Sequence, residues 1–190
     1  MKTLRNIAFI TLVILGLLYL FSPFGKNQDI EEWELEEHVL IESNIDSVYA
    51  YLSNSENASD WSSYIDHITP LNSDSILDGE LGSLRRCFKQ KTEGGIVWDE
   101  EIIKIQETPT LYRELSIFNL QNFPLQTTEL TTRQHYHKLN NNSTQLTFGL
   151  YKSTNISNWT DVLKMKFTGY YISSIFKTNL SNIKAEIEKR

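Results

Sequence analysis

The amino-acid sequence predicts an α+β domain, with an antiparallel sheet and a long C-terminal helix, behind an apolar N-terminal segment. Three observations support this prediction. Strand-like runs follow one another at hairpin spacing through the middle of the chain. A stripe of apolar residues at helical spacing occupies the last part of the sequence. Much of the apolar content lies in one uncharged run near the start.

The composition limits the size and class of the protein. The chain has 190 residues, of which 40% are hydrophobic and 22% charged, so a packed core is expected and global disorder is not. The net charge of -6 argues against a nucleic-acid binder, which would carry a basic patch. Cys87 is the only cysteine, so no internal disulfide can form and the fold must depend on its core.

The N-terminal segment is predicted to be an uncleaved signal anchor. Residues 7–24 hold no charge and come near the lower length limit for a membrane-spanning helix. No small-residue cleavage site follows, although secretion after signal cleavage stays the alternative. Because Lys2 and Arg5 precede the apolar run, we expect a cytoplasmic N-terminus and an exported domain. Residues 1–27 are therefore assigned to the anchor and a linker, and residues 28–190 to the folded domain.

The folded domain is predicted to begin with a strand and two short helices. Apolar residues alternate from Trp33 to Ile41, which is typical of an antiparallel strand with one solvated face. Asn44 or Asp46 can cap a first helix, whose apolar residues recur at helical spacing up to Leu52. The run Asp60–Ile65 indicates a second, shorter helix.

The middle of the chain is predicted to be a meander of antiparallel strands. Turn residues separate the strand-like runs, for example at Glu93–Gly95 and Asn140–Asn142. Such hairpin spacing argues against a parallel β-α-β design. The predicted strands are Ser83–Lys89, Ile96–Gln106, Leu111–Phe118, Thr128–Leu139 and Thr144–Lys152.

The last element is predicted to be a long helix that packs on the core. Gly169 lies on its apolar stripe, where a missing side chain lets another backbone approach or leaves room beneath. Phe167 and Tyr170 widen the apolar surface in the first half. A membrane-surface helix is disfavoured because basic residues do not dominate the polar face. The stripe consists of Val162, Met165, Gly169, Ile172, Phe176, Leu180, Ile183 and Ile187.

The predicted order of elements is a strand, two short helices, a meander of strands and a long C-terminal helix, and this order is a specific one. Several segments of the sequence match a known family that has it. They are Val39–Ile41, Asp46–Leu52 with Trp61, Glu101–Ile103 with Pro109, Asn142–Thr147 and Leu180–Lys184. In these segments the chain resembles the START-like superfamily, also called Bet v 1-like or SRPBCC, with its polyketide cyclase/dehydrase and lipid-transport group. The resemblance covers about residues 33–190. It implies a helix-grip fold, in which a curved antiparallel sheet wraps around the C-terminal helix and encloses a cavity for an apolar ligand.

The resemblance also implies a function. We expect a membrane-anchored domain that binds a hydrophobic small molecule or lipid in its cavity and needs no cofactor. The alternative is a polyketide cyclase/dehydratase-like enzyme that uses histidines or carboxylates of the cavity. Nucleophile elbows, phosphate-binding glycine loops and dinucleotide-binding motifs are absent from the sequence.

Two groups of polar residues are candidates for the site. His135 and His137 share one face of a predicted strand, where they could act as a general base or start a metal site, although a solvated face is favoured. One carboxylate of the run Asp99–Glu101 must point inward if the sheet has a buried face, and burial would require an arginine partner, although solvation of most of these charges at the sheet edge is favoured. That partner could be Arg85, Arg86 or Arg113. The predicted ligand-binding residues are Trp98, Glu100, Arg113, His135, His137, Phe167 and Tyr170, and no metal ligands are predicted.

Overall fold

The computed structural model describes residues 2–108, 110–123, 130–153 and 159–189. These residues contain one sheet and four α-helices, which confirms the predicted α+β class. The helices are α1 Lys2–Leu20, α2 Ile45–Ser53, α3 Ala58–Trp61 and α4 Trp159–Glu188. The strands are β1 Gly25–Asn27, β2 Glu32–Ile41, β3 His67–Pro70, β4 Leu84–Phe88, β5 Val97–Gln106, β6 Leu111–Gln121, β7 Leu130–Asn140 and β8 Ser143–Ser153.

The sheet is an antiparallel meander whose first long strand returns beside its last. The order across it is β1-β2-β8-β7-β6-β5-β4-β3. Strands β3 to β8 pair with their neighbours in sequence, and β2 pairs with β8 in the register Leu35↔Leu150. The five predicted strands of the meander are confirmed within the described residues; Thr128 and Pro109 lie outside them.

Two short strands were not predicted. Strand β1 occupies part of the segment that was interpreted as a linker, and it pairs with β2 in the register Gly25↔Glu34. Strand β3 pairs with β4 in the register Ile68↔Cys87. With three and four residues, these strands are too short to show an alternating pattern, and pairing with a longer neighbour holds them in place.

The predicted cap of the first short helix is confirmed, and the second short helix begins earlier than predicted. The side-chain Oδ1 of Asn44 accepts a hydrogen bond from the backbone N–H of Ser47 at 2.9 Å, as an N-cap residue does. Helix α3 ends at Trp61 rather than continuing to Ile65. The chain turns there because Ser62 Oγ accepts the backbone N–H of Ile65 at 2.8 Å.

Helix α4 joins two separate apolar clusters, one near each of its ends. Near the C-terminal end, Leu180, Ile183 and Ile187 pack with residues of α2, α3, β7 and β8. Near the N-terminal end, Met165 packs with Phe24 and with residues of β2, β7 and β8. Between the two ends, Phe176 packs against both clusters, and the buried Ser173 donates a hydrogen bond to Glu37 of β2.

Helix α1 is long and apolar enough to cross a membrane, and the same properties suit a signal sequence. Its window Thr3–Leu20 has a mean hydropathy of 1.9 and buries no residue against the rest of the protein. At about 1.5 Å per residue the helix is roughly 28 Å long, close to the hydrocarbon thickness of a bilayer.

The end of α1 contacts α4 rather than leading into a free linker. Tyr170 Oη donates a hydrogen bond to the backbone oxygen of Leu18 at 2.9 Å, and Ser22 Oγ donates to the backbone oxygen of Lys166. Phe24 follows and is fully buried against Gly169, where an added Cβ would lie 3.0 Å from the Phe24 Cβ. Glycine is thus required at this position for close approach of the N-terminal segment.

We expect Gly169→Val to lower the free energy of unfolding by about 1–3 kcal/mol, because the larger side chain collides with Phe24. The penalty should shrink or change sign when Phe24→Gly removes the Phe24 Cβ, since valine is otherwise better than glycine in a helix. Urea unfolding followed by tryptophan fluorescence measures the free energy of unfolding of each variant. Ser174→Val, on the exposed side of α4, is the matched control. Equal penalties with and without Phe24 would contradict this contact.

Candidate functional site

A cavity of about 210 Å³ lies between the sheet and the middle of α4. It is larger than the apolar cavities of about 150 Å³ that hold benzene or xenon. Most of its lining is aliphatic or aromatic, so it suits an apolar molecule. The apolar lining includes Trp61, Ile65, Ile68, Leu115, Ile117, Leu130, Phe148, Leu150, Ile172, Ile175 and Phe176.

Four aromatic side chains line one part of the cavity. The centroid of the Tyr64 ring lies 5.8 Å from that of Trp98 and 6.3 Å from that of Tyr171. The centroids of Trp98 and Phe123 are 5.6 Å apart. Tyr171 is 56% exposed, so this group reaches the protein surface and forms a rim. Burial, and then the nearby Tyr171 hydroxyl, raises the pKa of Tyr64, and the Lys89 ammonium lies 4.3 Å from the centroid of its ring.

A buried ion pair forms the polar end of the cavity. Arg85 donates to Glu100 Oε2 from Nη2 at 2.9 Å and from Nε at 3.1 Å, and Trp98 Nε1 donates to Glu100 Oε1 at 2.9 Å. Burial opposes the charge on Arg85, but Glu100 raises its pKa above the ordinary value. The prediction that a carboxylate of β5 points inward to an arginine is confirmed by this pair. Asp99 points to the other face and binds Arg86 at 2.7 Å.

A second buried arginine lies beside the cavity. Arg113 is fully buried, and its Nη2 donates to the backbone oxygen of Leu52 at 2.9 Å and to Gln134 Oε1 at 2.7 Å. Gln134 lines the cavity and also accepts a hydrogen bond from Tyr136 Oη at 2.8 Å. Burial lowers the pKa of Arg113 below its ordinary value, and Arg85 adds to that effect.

The structure divides the predicted site residues between several places. Trp98 and Glu100 line the cavity, and Arg113 lies behind it in contact with Gln134. His135 stacks on Tyr112 with ring centroids 5.3 Å apart, on the face of β7 opposite Gln134. There, burial lowers the pKa of His135.

The remaining predicted residues lie outside the cavity lining. His137 is exposed, Phe167 is half-buried, and Tyr170 donates to Leu18 in α1. Among the residues that the structure describes, no group of three or more His, Cys, Asp or Glu side chains is arranged to hold a metal ion.

Gln134 and Asn179 are cavity residues that the sequence analysis missed. Gln134 shares the inward face of β7 with Leu130, Thr132 and Tyr136, and strand parity places it there only once the burial of Leu130 and Tyr136 is known. Asn179 falls one position before the predicted stripe residue Leu180, and only the three-dimensional packing shows that it is buried.

The sequence matches no protein-family model and no curated protein. Similar solved structures do exist. Zhui aromatase/cyclase from Streptomyces sp. R1128 superposes with a TM-score of 0.59 at 13% identity, over 84% of this chain and 95% of that one. Norcoclaurine synthase from Thalictrum flavum, in complex with dopamine and hydroxybenzaldehyde, superposes with a TM-score of 0.55 at 12% identity. The match covers 83% of this chain and 85% of the synthase chain. The protein XoxI from Bacillus cereus superposes with a TM-score of 0.57 at 12% identity, over 82% of this chain and 95% of the XoxI chain.

The chain has the START-like, or Bet v 1-like, helix-grip fold. Identities near 12% establish a common fold and carry no information about a common reaction. The resemblance stated from the sequence is therefore confirmed at the level of architecture. What the protein does must be argued from its own cavity.

Glu100→Gln should lower the free energy of unfolding by about 3–5 kcal/mol, because it leaves the Arg85 cation buried without its counter-charge. Asp161→Asn is the matched control, since the Asp161–Lys164 pair is solvent-exposed and contributes about 0–1 kcal/mol. Both values come from urea unfolding at neutral pH. Similar, small losses for the two variants would contradict the structural importance of the buried pair.

Proposed function

We propose that this protein is a membrane-anchored binding domain that holds a hydrophobic small molecule or lipid in its cavity, on the exported side of the membrane. The observation that carries the proposal is the cavity of about 210 Å³ with its apolar lining. Filling such a space with a ligand removes apolar surface from water, which contributes about 25 cal/mol per Å².

Ligand binding at this place is consistent with the proteins of similar fold. The norcoclaurine synthase structure holds dopamine and hydroxybenzaldehyde, which are small aromatic molecules. A ligand of that size suits the space between α4 and the sheet. The aromatic rim of Tyr64, Trp98, Phe123 and Tyr171 offers flat, polarisable surfaces for ring or chain contacts.

The position of α1 supports a membrane-anchored function. The hydrogen bond from Tyr170 to Leu18 joins the end of the apolar helix to α4, and the next residue along α4 is Tyr171 of the rim. If α1 spans the bilayer, the rim is held near the membrane surface. An apolar ligand would then have a short path between lipid and cavity. Lys2 and Arg5, which lie in α1 before its uncharged run, favour export of the domain.

An enzymatic function of the cyclase/dehydratase type is the second candidate, because Glu100 lines the cavity. Its carboxylate already accepts three hydrogen bonds, two from Arg85 and one from Trp98. A general base needs a free lone pair within reach of the substrate proton. Three of its about four acceptor positions are thus occupied, and only one, on Oε1, is left, which favours binding over catalysis.

Filling the cavity should abolish ligand retention. We expect the full chain, purified in lipid nanodiscs, to carry an apolar molecule that organic extraction and mass spectrometry detect above empty-nanodisc blanks. Thr132→Phe places a ring in the cavity and should lower the recovered amount of that molecule at least tenfold. Thr131→Phe is the matched control, because the neighbouring residue points to the opposite face of β7. Equal recovery from both variants, or none from the unmodified chain, would overturn the proposal.

A further inference from the structure

Two buried carboxamide side chains of the cavity present their N–H groups to it. Gln134 is 8% exposed, and its Oε1 accepts from Arg113 at 2.7 Å and from Tyr136 at 2.8 Å. An arginine has only donors, so the oxygen of this amide must face Arg113 and the nitrogen must face away. Within the described residues, Nε2 of Gln134 has no hydrogen-bond partner, and it keeps some accessible surface.

Asn179 repeats the same arrangement on the opposite wall. It is 5% exposed, and its Oδ1 accepts from the backbone N–H of Ser63 at 2.7 Å and from the Ser63 hydroxyl at 2.8 Å. A backbone N–H can only donate, which fixes the amide orientation here as well. Its Nδ2 likewise has no partner in the part of the chain that the structure describes.

Both nitrogens keep accessible surface, and an N–H donor loses its hydrogen bonds to water when a ligand fills the cavity, unless the ligand itself accepts them. Both of these nitrogens belong to side chains that line the cavity, so a ligand atom in the cavity is in a position to pair with them. Only an acceptor can do so, since a donor would meet a donor.

The local charge favours the same kind of ligand. Arg85 and Glu100 form a pair without net charge, whereas Arg113 donates to neutral oxygens of Leu52, Ser53 and Gln134. The Arg113 guanidinium therefore leaves a positive potential behind the Gln134 amide, and it polarises that amide toward donation.

We propose that the cavity selects ligands with an apolar body and an acceptor-only head, a carboxylate or a carbonyl, bound by the amide groups of Gln134 and Asn179. This inference rests on the proposed function and specifies its ligand class. Alcohol and amine heads carry donors that these two amides cannot accept, and an ammonium is also repelled by Arg113.

The test compares three probes with the same apolar chain: decanoate, decan-1-ol and decylamine. Isothermal titration of the full chain in nanodiscs, corrected with empty nanodiscs, measures each affinity. We expect decanoate to bind at least tenfold more tightly than the other two. Equal affinities for the three probes would overturn this inference and leave the proposed apolar binding intact. Binding of none of them would reject both.

Isosteric variants test the two amides separately. Gln134→Glu still accepts from Arg113 and Tyr136 but turns a carboxylate oxygen toward the cavity, and Asn179→Asp does the same beside Ser63. Each variant should weaken the affinity for decanoate at least tenfold and change the affinity for decan-1-ol by less than threefold. Gln145→Glu, a β8 residue outside the cavity lining, is the matched control and should change neither. Unchanged decanoate affinity in both cavity variants, with native circular dichroism, would refute the assignment.

Discussion

The constraint on which the rest of the structure depends is that α4 is tied to the sheet at its two ends. Met165 joins it to one apolar cluster, and Leu180, Ile183 and Ile187 join it to another. At about 1.5 Å per residue, the 15 residues from Met165 to Leu180 cover roughly 22 Å. Over that distance α4 contacts β2 through Ser173 and β8 through Phe176, but a straight helix cannot follow the curved sheet across its remaining strands. The cavity is the space that this geometry leaves.

Polar groups hold that space open in a particular form. A wholly apolar cavity wall would gain by collapsing onto itself, because voids forfeit dispersion contacts. The Arg85–Glu100 pair and the hydrogen bond from Arg113 to Gln134 would have to break for the wall to collapse, so they resist such rearrangement. They also give the cavity one polar end. The same residues therefore connect the stability of the sheet to the chemistry of the ligand.

The elements that the sequence predicted are those with a long repeating pattern. The stripe of α4 and the alternation of the long strands are periodic over ten residues or more, and burial of one face enforces them. Strands β1 and β3 have too few residues for a period. The inward carboxylate with its arginine was predictable because a buried charge needs a partner.

The cavity itself was only partly predictable. His135 and His137 attracted attention as chemically versatile side chains, but parity alone could not say which face of β7 turns inward. The structure resolves this by burying Leu130 and Tyr136, which places both histidines on the other face. Gln134 and Asn179 have common, unremarkable side chains. Their significance comes from Arg113 and Ser63, which lie far away in sequence and occupy the amide oxygens.

The most direct test of the central claim, that an apolar space separates the middle of α4 from the sheet, is a crystal structure of the full chain under xenon pressure. Xenon enters apolar cavities of about 150 Å³ or more. The account predicts a xenon atom, or a retained ligand that excludes it, among Leu115, Phe148 and Phe176. Side chains of α4 and the sheet that close this space, or a chain of hydrogen-bonded waters inside it, would contradict it.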